Sequence, residues 1–299
     1  MSISSELTKL NTNMQNAYTA VNNKGGTLPA SQNMDNLATA IGSIPSGSSG
    51  YTELPSYQVV NGVASRRSGA LTGNEFSNIT SVGTYGLYMA FERCEELTGF
   101  VDLSSLTSVG ERGFYNAFAY CYGLTSVDLS SLTSVSTYGF YGAFYICSGL
   151  TSIDLSSLTS VGSSGLYSAF SSCTKLTSVN FPSLTSIDGS GLSNVFSSCT
   201  ELKSVSFPAL TSIGGSGLYY AFSYCSKITD VYFNSLTTTS FGSYTDQFQN
   251  MLSSTGRTVT HTLHFPSNLQ STIQGLTGYP TFSGTSGYVV CAFDLPATS

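Results

Sequence analysis

Cysteine, histidine, carboxylate and tyrosine side chains recur in this sequence at spacings that could support chemistry. Cys94, Cys121, Cys147, Cys173, Cys199 and Cys225 follow one another at intervals of 27, 26, 26, 26 and 26 residues. A zinc centre needs paired C-x₂-C ligands or a neighbouring His, and neither accompanies this series. One thiol per repeat reads instead as a ladder of buried, reduced, inert groups. Identical positions on parallel turns point the same way, whereas a disulfide needs Cβ atoms about 3.8 Å apart and turned toward each other. His261 and His264 flank Leu263. Two ligands without a third make a weak metal site, so both are read as solvated. Asp102, Asp128 and Asp154 occupy one outward position in three successive repeats, continued by Asn180, Ser206 and Tyr232. Such a column could favour a proton or a hard cation such as Ca²⁺. Ca²⁺ wants six or more oxygens, so the expectation is a solvated acidic stripe, with a bound cation as the alternative. A glycosidase needs a cleft and carboxylates in unequal environments, and a repeated column supplies nearly equal ones. No G-x-S-x-G elbow occurs, no motif places a His to activate a hydroxyl, and the recurring Gly residues form no phosphate loop. These residues predict a protein that is not an enzyme and has no catalytic residues, no metal and no cofactor.

Tyrosine offers a different kind of chemistry. Tyr88, Tyr115, Tyr141, Tyr167 and Tyr219 each stand one residue after the apolar position that begins a repeat's expected helix, and Ser193 alone interrupts the column. That phase sets them beside the buried face. A broad apolar ring with a polar tip suits binding to a glycan or a protein. The alternative is that the rings cover the edge of the core and stack on one another.

The elements that position these residues come from one repeat of 26. Anchoring on the Phe three residues before each Cys gives Phe91, Phe118, Phe144, Phe170, Phe196 and Phe222, and the series continues at Phe248, where Met251 replaces the Cys. There are thus seven turns, the last degenerate. Leu166, Ala169, Phe170 and Cys173 fall at i, i+3, i+4 and i+7, one face of a two-turn helix, and a Gly stands before this segment in six turns. Leu124-Thr-Ser-Val-Asp-Leu129 has the spacing of a short strand, and the pair Leu132 and Val135 follows before the chain turns back. A unit of this size cannot bury its apolar face alone, so neighbours must stack. The expected fold class is an α/β repeat solenoid, a leucine-rich-repeat-like parallel coil of short helices and strands with an N-terminal helical segment. The single interval of 27 predicts a bulge near Val101.

The pattern A-F-x-x-C-x-x-L-T-S-V-D-L-S-x-L-T-S-V-G, as in Ala143 to Gly162, resembles the BspA-like subfamily of leucine-rich repeats. The likeness covers residues 76 to about 266. It departs in a slightly longer repeat and in a Pro strand ending seen only at Phe181-Pro182, Phe207-Pro208 and Phe265-Pro266. The resemblance implies extracellular adhesion or recognition and no chemistry.

Charged residues make up 9% of the chain and the net charge is −6. An ordinary soluble domain has about 25% charged residues. With ten Lys+Arg and no basic run, phosphate backbones are not an expected partner. No stretch approaches the roughly 20 apolar residues of a membrane span, and the N-terminus lacks the basic and apolar regions of a secretory signal. Four segments are expected: 1–45 for attachment or oligomerisation, 46–75 as linker and N-terminal cap, 76–266 as seven repeats, and 267–299 as C-terminal cap. Ile3, Leu7, Leu10, Met14, Ala17 and Val21 follow a heptad seam, which predicts a short coiled coil joining chains or, alternatively, a hairpin packing on itself. Residues 1–44 resemble the openings of tail-associated structural proteins of bacteriophages. That resemblance implies a virion protein, a tail fibre or adhesion component joined to itself or other virion proteins through residues 1–45 and facing a host surface glycan or protein with its repeats. The alternative is a bacterial surface adhesin or protein-interaction module.

Overall fold

The computed structural model describes residues 58–60, 63–65, 76–94, 97–237, 240, 247–253, 260–277, 279–280 and 289–297. The chain divides into two units, Met1–Ala70 and Leu71–Ser299. In the first, β1 (Gln58–Val60) and β2 (Val63–Ser65) pair antiparallel. The heptad seam and the phage-like segment of residues 1–44, and with them the expected N-terminal helix, lie outside the described residues.

The second unit is a parallel β-solenoid of about seven turns. Its strands run β3 (Ser81–Val82), β4 (Gly99–Asp102), β5 (Ser108–Val109), β6 (Leu124–Asp128), β7 (Ser134–Val135), β8 (Ser152–Asp154), β9 (Ser160–Val161), β10 (Ser178–Asn180), β11 (Ser186–Ile187), β12 (Ser204–Ser206), β13 (Ser212–Ile213), β14 (Asp230–Tyr232), β15 (His261–Pro266) and β16 (Val289–Leu295). Each repeat contributes two short strands because it carries two apolar anchors separated by hydroxyl residues. In β6, Leu124 and Val127 are buried while Thr125 is exposed. The second strands stack in the order β3-β5-β7-β9-β11-β13, each pairing Ser with Ser and Val or Ile with its counterpart 26 or 27 residues on. The first strands form two sheets, β4-β6-β8 and β10-β12-β14-β15-β16. The extra residue of the first turn is absorbed by a register shift between Gly99 and Phe100, just before the expected Val101. Gly99 has a φ of +81° there, a conformation that glycine adopts without steric cost.

The expected short helices are not formed, and the spacing of the turns explains why. An α-helix with side chains is about 10–12 Å across, whereas parallel strands lie about 4.8 Å apart. Adjacent Tyr115, Tyr141 and Tyr167 rings on the outer side are only 4.7 and 4.8 Å apart, so the coil does not fan out to admit helices. The outer segment is instead a flattened ribbon of linked turns. In the fourth repeat the N–H groups of Gly165, Tyr167, Ala169, Ser171 and Cys173 each donate to the carbonyl three residues back. Those of Ser164, Leu166, Ser168, Phe170 and Ser172 donate to Gly189, Gly191, Ser193, Val195 and Ser197 in the next turn. Every fourth residue takes a positive φ, as at Ser164 (52°), Ser168 (53°) and Ser172 (62°). Among the described residues the one α-helix is α1 (Gln270–Gln274), reached through a 3₁₀ turn at Ser267–Leu269 between β15 and β16.

Positive φ costs an ordinary L-residue about 1–2 kcal/mol, and Asn bears it best. Asn116 and Asn194 occupy such positions, but so does β-branched Ile146, with φ 58°. Ile146→Asn is therefore expected to raise stability by about 1 kcal/mol, read as a higher denaturant midpoint at unchanged m-value. A lower midpoint would mean that packing of the half-buried Ile146 side chain outweighs the strain.

Inside the coil the side chains stack in columns. Phe91, Phe118, Phe144, Phe170, Phe196 and Phe222 form a buried ladder with centroids 5.2 to 6.0 Å apart. A second column changes identity partway: Leu103, Leu129 and Leu155 give way to Phe181, Phe207, Phe233 and Phe265, stacked at 5.1 to 5.4 Å. The change from Leu to Phe falls where the first-strand sheet is interrupted between β8 and β10, and Pro182 follows immediately.

Candidate binding surfaces

On the ribbon side, Tyr88, Tyr115, Tyr141 and Tyr167 form a parallel stack with centroids 4.9, 4.7 and 4.8 Å apart and interplanar angles of 13°, 2° and 3°. All four are half-exposed, because the ribbon turns its central apolar column inward and leaves the next position on the rim. Burial, then the neighbouring phenols, push the pKa of Tyr88 and Tyr141 above the ordinary phenolic value. Tyr219 stands apart from this stack. Ser193, in the intervening turn, is itself buried and donates its hydroxyl to the Ser216 carbonyl at 2.7 Å. Tyr219 instead meets Tyr220 edge-on at 4.4 Å.

Beside the ladder lies a cluster that column reading of the sequence had missed. Tyr85, Arg112 and Tyr138 occupy one ribbon position in successive turns, and the Arg112 guanidinium sits 5.5 and 4.8 Å from the two ring centroids. It also donates to the Tyr85 hydroxyl at 2.9 Å and pairs with Glu111. Arg93 lies 4.7 Å from the Tyr120 ring in the same manner. The signal was available as a Tyr-Arg-Tyr series at intervals of 27 and 26.

The strand side offers less. Thr133, Thr159, Thr185 and Thr211 are exposed, but each donates its hydroxyl to the carbonyl of the threonine one turn earlier at 2.9 to 3.1 Å. Thr151 does the same toward Thr125. These hydroxyls are committed as donors within the coil. The Asp column has a local structural role as well. Oδ1 of Asp102, Asp128 and Asp154 accepts the N–H of Ser104, Ser130 and Ser156 at 3.0, 2.9 and 2.9 Å, an Asx turn that ends the strand. In the next two repeats the residue two positions on is Pro182 or Pro208, which has no N–H to offer, and the acid is replaced by Asn180 or Ser206. Asp128 and Asp154 also line a shallow open hollow with Phe100, Ile153, Val179 and Pro182 at the interruption of the sheet. Among the described residues no group of three or more His, Cys, Asp or Glu side chains could hold a metal ion.

The six column cysteines are buried, and none is in a disulfide. Cys121, Cys147, Cys173, Cys199 and Cys225 each donate the thiol to the carbonyl of the ladder Phe in the preceding turn, at 3.0 to 3.3 Å. The histidines depart from expectation. His261 is buried, with Nδ1 against the Ile228 carbonyl and Nε2 without a partner. His264 stacks on Tyr232 at 4.3 Å, between two carboxylates. Its Nε2 is 3.0 Å from Asp230 and its Nδ1 2.9 Å from Asp294. Through these two contacts His264 ties β14, β15 and β16 together. For Asp230, burial favours the neutral carboxyl, but hydrogen bonds from Thr229 and His264 and the electrostatic pull of His264 prevail and hold its pKa below the ordinary carboxylate value. These partners lie 34 and 30 residues from His264, outside the 26-residue register, so no column of the sequence aligns them.

A solved structure of a leucine rich cell surface protein from Faecalibacterium prausnitzii A2-165 is similar over 64% of this chain and 59% of that one, at 19% identity and a TM-score of 0.23. The chain thus spans less than two thirds of that protein's length. No curated protein matches. The family profile described as the BspA type leucine rich repeat region, six copies long, matches residues 67–194 and again 115–255. Those two matches together span well over half of the sequence, from before β3 to beyond the last phenylalanine of the inner ladder, and the chain belongs to the BspA-type leucine-rich repeat family.

Proposed function

We propose that this protein is a non-enzymatic adhesion or interaction module displayed at a cell surface, which holds its ligand on the tyrosine edge of the coil. The observation that carries this reading is the half-exposed, parallel stack of Tyr88, Tyr115, Tyr141 and Tyr167 with the Arg112 cluster beside it. Rigid aromatic rings and Arg are the residues on which binding energy concentrates, and here the stack holds them in place before a ligand arrives. Among the described residues the strand side carries no such tyrosine stack, and the hydroxyls of Thr133, Thr159 and Thr185 are already donated internally. The BspA-type match supports a surface adhesin over a phage tail fibre, since the tail-fibre reading rests on residues 1–44 alone and nothing in the comparisons supports it.

Replacing Tyr115, Tyr141 and Tyr167 together by Ser tests this reading. Attachment of the full chain to intact cells or matrix is expected to fall by more than tenfold. Loss of the ring pairs costs stability too, at about 1 kcal/mol each, but leaves the buried ladder in place. Unchanged attachment by a folded triple variant would overturn the proposal and return these rings to a covering role.

A further inference from the structure

We infer that the hollow at the interruption of the first-strand sheet is a second binding site, separate from the tyrosine edge, and that it takes a short neutral saccharide. The hollow measures about 590 Å³ and exists because two neighbouring turns do not zip together. Thr151 donates its N–H to the Thr125 carbonyl, and Lys203, Thr229 and Thr262 donate theirs to Thr177, Lys203 and Thr229. Among the described residues Thr177 makes no such bond to Thr151. Likewise Leu103, Phe181, Phe207 and Phe233 donate to Asp128, Ser206, Tyr232 and His264, but Leu155 makes no bond to Asn180. The parting uncovers the apolar floor. Ile153 is half-exposed, whereas Val127 and Val179, at the same position in the neighbouring turns, are each 2% exposed. Main-chain groups left unpaired within the fold require water or a ligand, and a ligand that both donates and accepts serves them best.

The lining selects the ligand. Phe100 heads a column continued by Ser126, Ser152 and Ser178. Its ring is 39% exposed, and among the described residues no other ring covers it. The ladder tyrosines, by contrast, cover one another's faces. A pyranose has a C–H-rich face that packs on a free aromatic ring and hydroxyl edges that bond to polar neighbours. Those neighbours are the Ser column and, beside it, Asp128, Asp154 and Asn180. Oδ1 of each Asp is taken by a Ser N–H, which leaves Oδ2 to accept from a sugar hydroxyl. The exposed Asn180 amide both donates and accepts. No Lys, Arg or His stands between Arg112 and Lys175, so the two carboxylates repel an anionic glycan. Phe100 and Ser178 are three turns apart, about 14 Å at about 4.8 Å per turn, which suits a chain of two or three sugar rings.

Binding of the full-length protein is measured against immobilised neutral hexasaccharides of glucose, mannose, galactose and N-acetylglucosamine, with sialylated glycans, sulfated glycans and an oligoarginine peptide in parallel. The expected result is retention on at least one neutral saccharide, reduced about tenfold or more by Phe100→Ser, since aromatic anchors dominate binding energy. Ser already stands at this position in the next three turns, so the Tm of the variant should stay within a few degrees. If Phe100→Ser fails to fold, Asp154→Asn serves, because Asn180 already carries an amide at that position one turn on, and the same loss is expected. Saccharide binding should persist in the triple variant of Tyr115, Tyr141 and Tyr167, whose cell attachment tests the adhesion reading separately. No retention on any neutral saccharide, preference for the charged glycans or for oligoarginine, full binding by a folded Phe100→Ser protein, or loss of saccharide binding in the triple tyrosine variant would each overturn the assignment.

Discussion

Raising the pH from 9 to about 10.5 at constant temperature is expected to unfold the coil cooperatively. Burial pushes the Cys147 and Cys225 thiols up to about 12 and lifts Cys173 and Cys199 well above the ordinary value. The hydrogen bond with Cys94, followed by burial, raises Cys121. An unfolded thiol ionises near 9. Because the folded values are the higher ones, the stability these groups contribute is complete below about pH 9 and is lost as the pH climbs toward their folded values. Each such thiol costs about 1.4 kcal/mol per pH unit. Five of them give a slope of about 7 kcal/mol per unit, comparable to the 5–15 kcal/mol that holds a typical domain together. Circular dichroism across this range should show a steep loss of signal, and thiol reagents at pH 8 should react slowly with the six buried column cysteines of the native protein, Cys291 being half-exposed. The double variant Cys147→Ala and Cys173→Ala removes two of the linked protons and should make the alkaline limb shallower. An unchanged slope in that variant would assign the limb to the tyrosines instead.

Phe170→Ala is expected to cost about 4 kcal/mol, in the range for a buried aromatic whose cavity cannot collapse. Its ring is fully buried and lies 5.4 Å from Phe144 and 5.8 Å from Phe196, and its carbonyl accepts the thiol of Cys199. Main-chain hydrogen bonds fix the turns on either side, so neighbouring rings cannot slide in to close the gap. Tyr141→Ala makes the informative contrast. Its ring is stacked even more closely, at 4.7 and 4.8 Å, but is half-exposed, and its loss should cost only about 1–2 kcal/mol. Denaturant titration of the two variants separates the ladders. Equal losses would show that the outer stack is as structural as the inner one and would weaken the case for the tyrosine edge as a binding surface.

The 26-residue period and the identity of its columns were legible in the sequence alone. Phe170, Cys173 and Leu176 recur with the same spacing in turn after turn, and only stacking of like on like buries such a pattern. The inner core, the free thiols and the half-exposed tyrosine rim follow from that repetition. So does a bulge in the first turn, because a single extra residue between fixed columns has to be absorbed locally.

Whether the outer segment is a helix was not legible. Leu166, Ala169, Phe170 and Cys173 have the same spacing on one face of a helix and on one face of the linked-turn ribbon, so periodicity cannot tell the two apart. The choice rests on the distance between turns, a property of the stack that no single repeat contains. The same holds for the acid column, whose meaning depends on which N–H lies two residues ahead and on the prolines that remove it at positions 182 and 208. It holds most of all for His264, which meets Asp230 and Asp294 only because the last turns abandon the 26-residue register. Repetition writes into the sequence what every turn shares. The contacts that occur once, where a turn breaks the pattern, are decided by how the turns sit against one another.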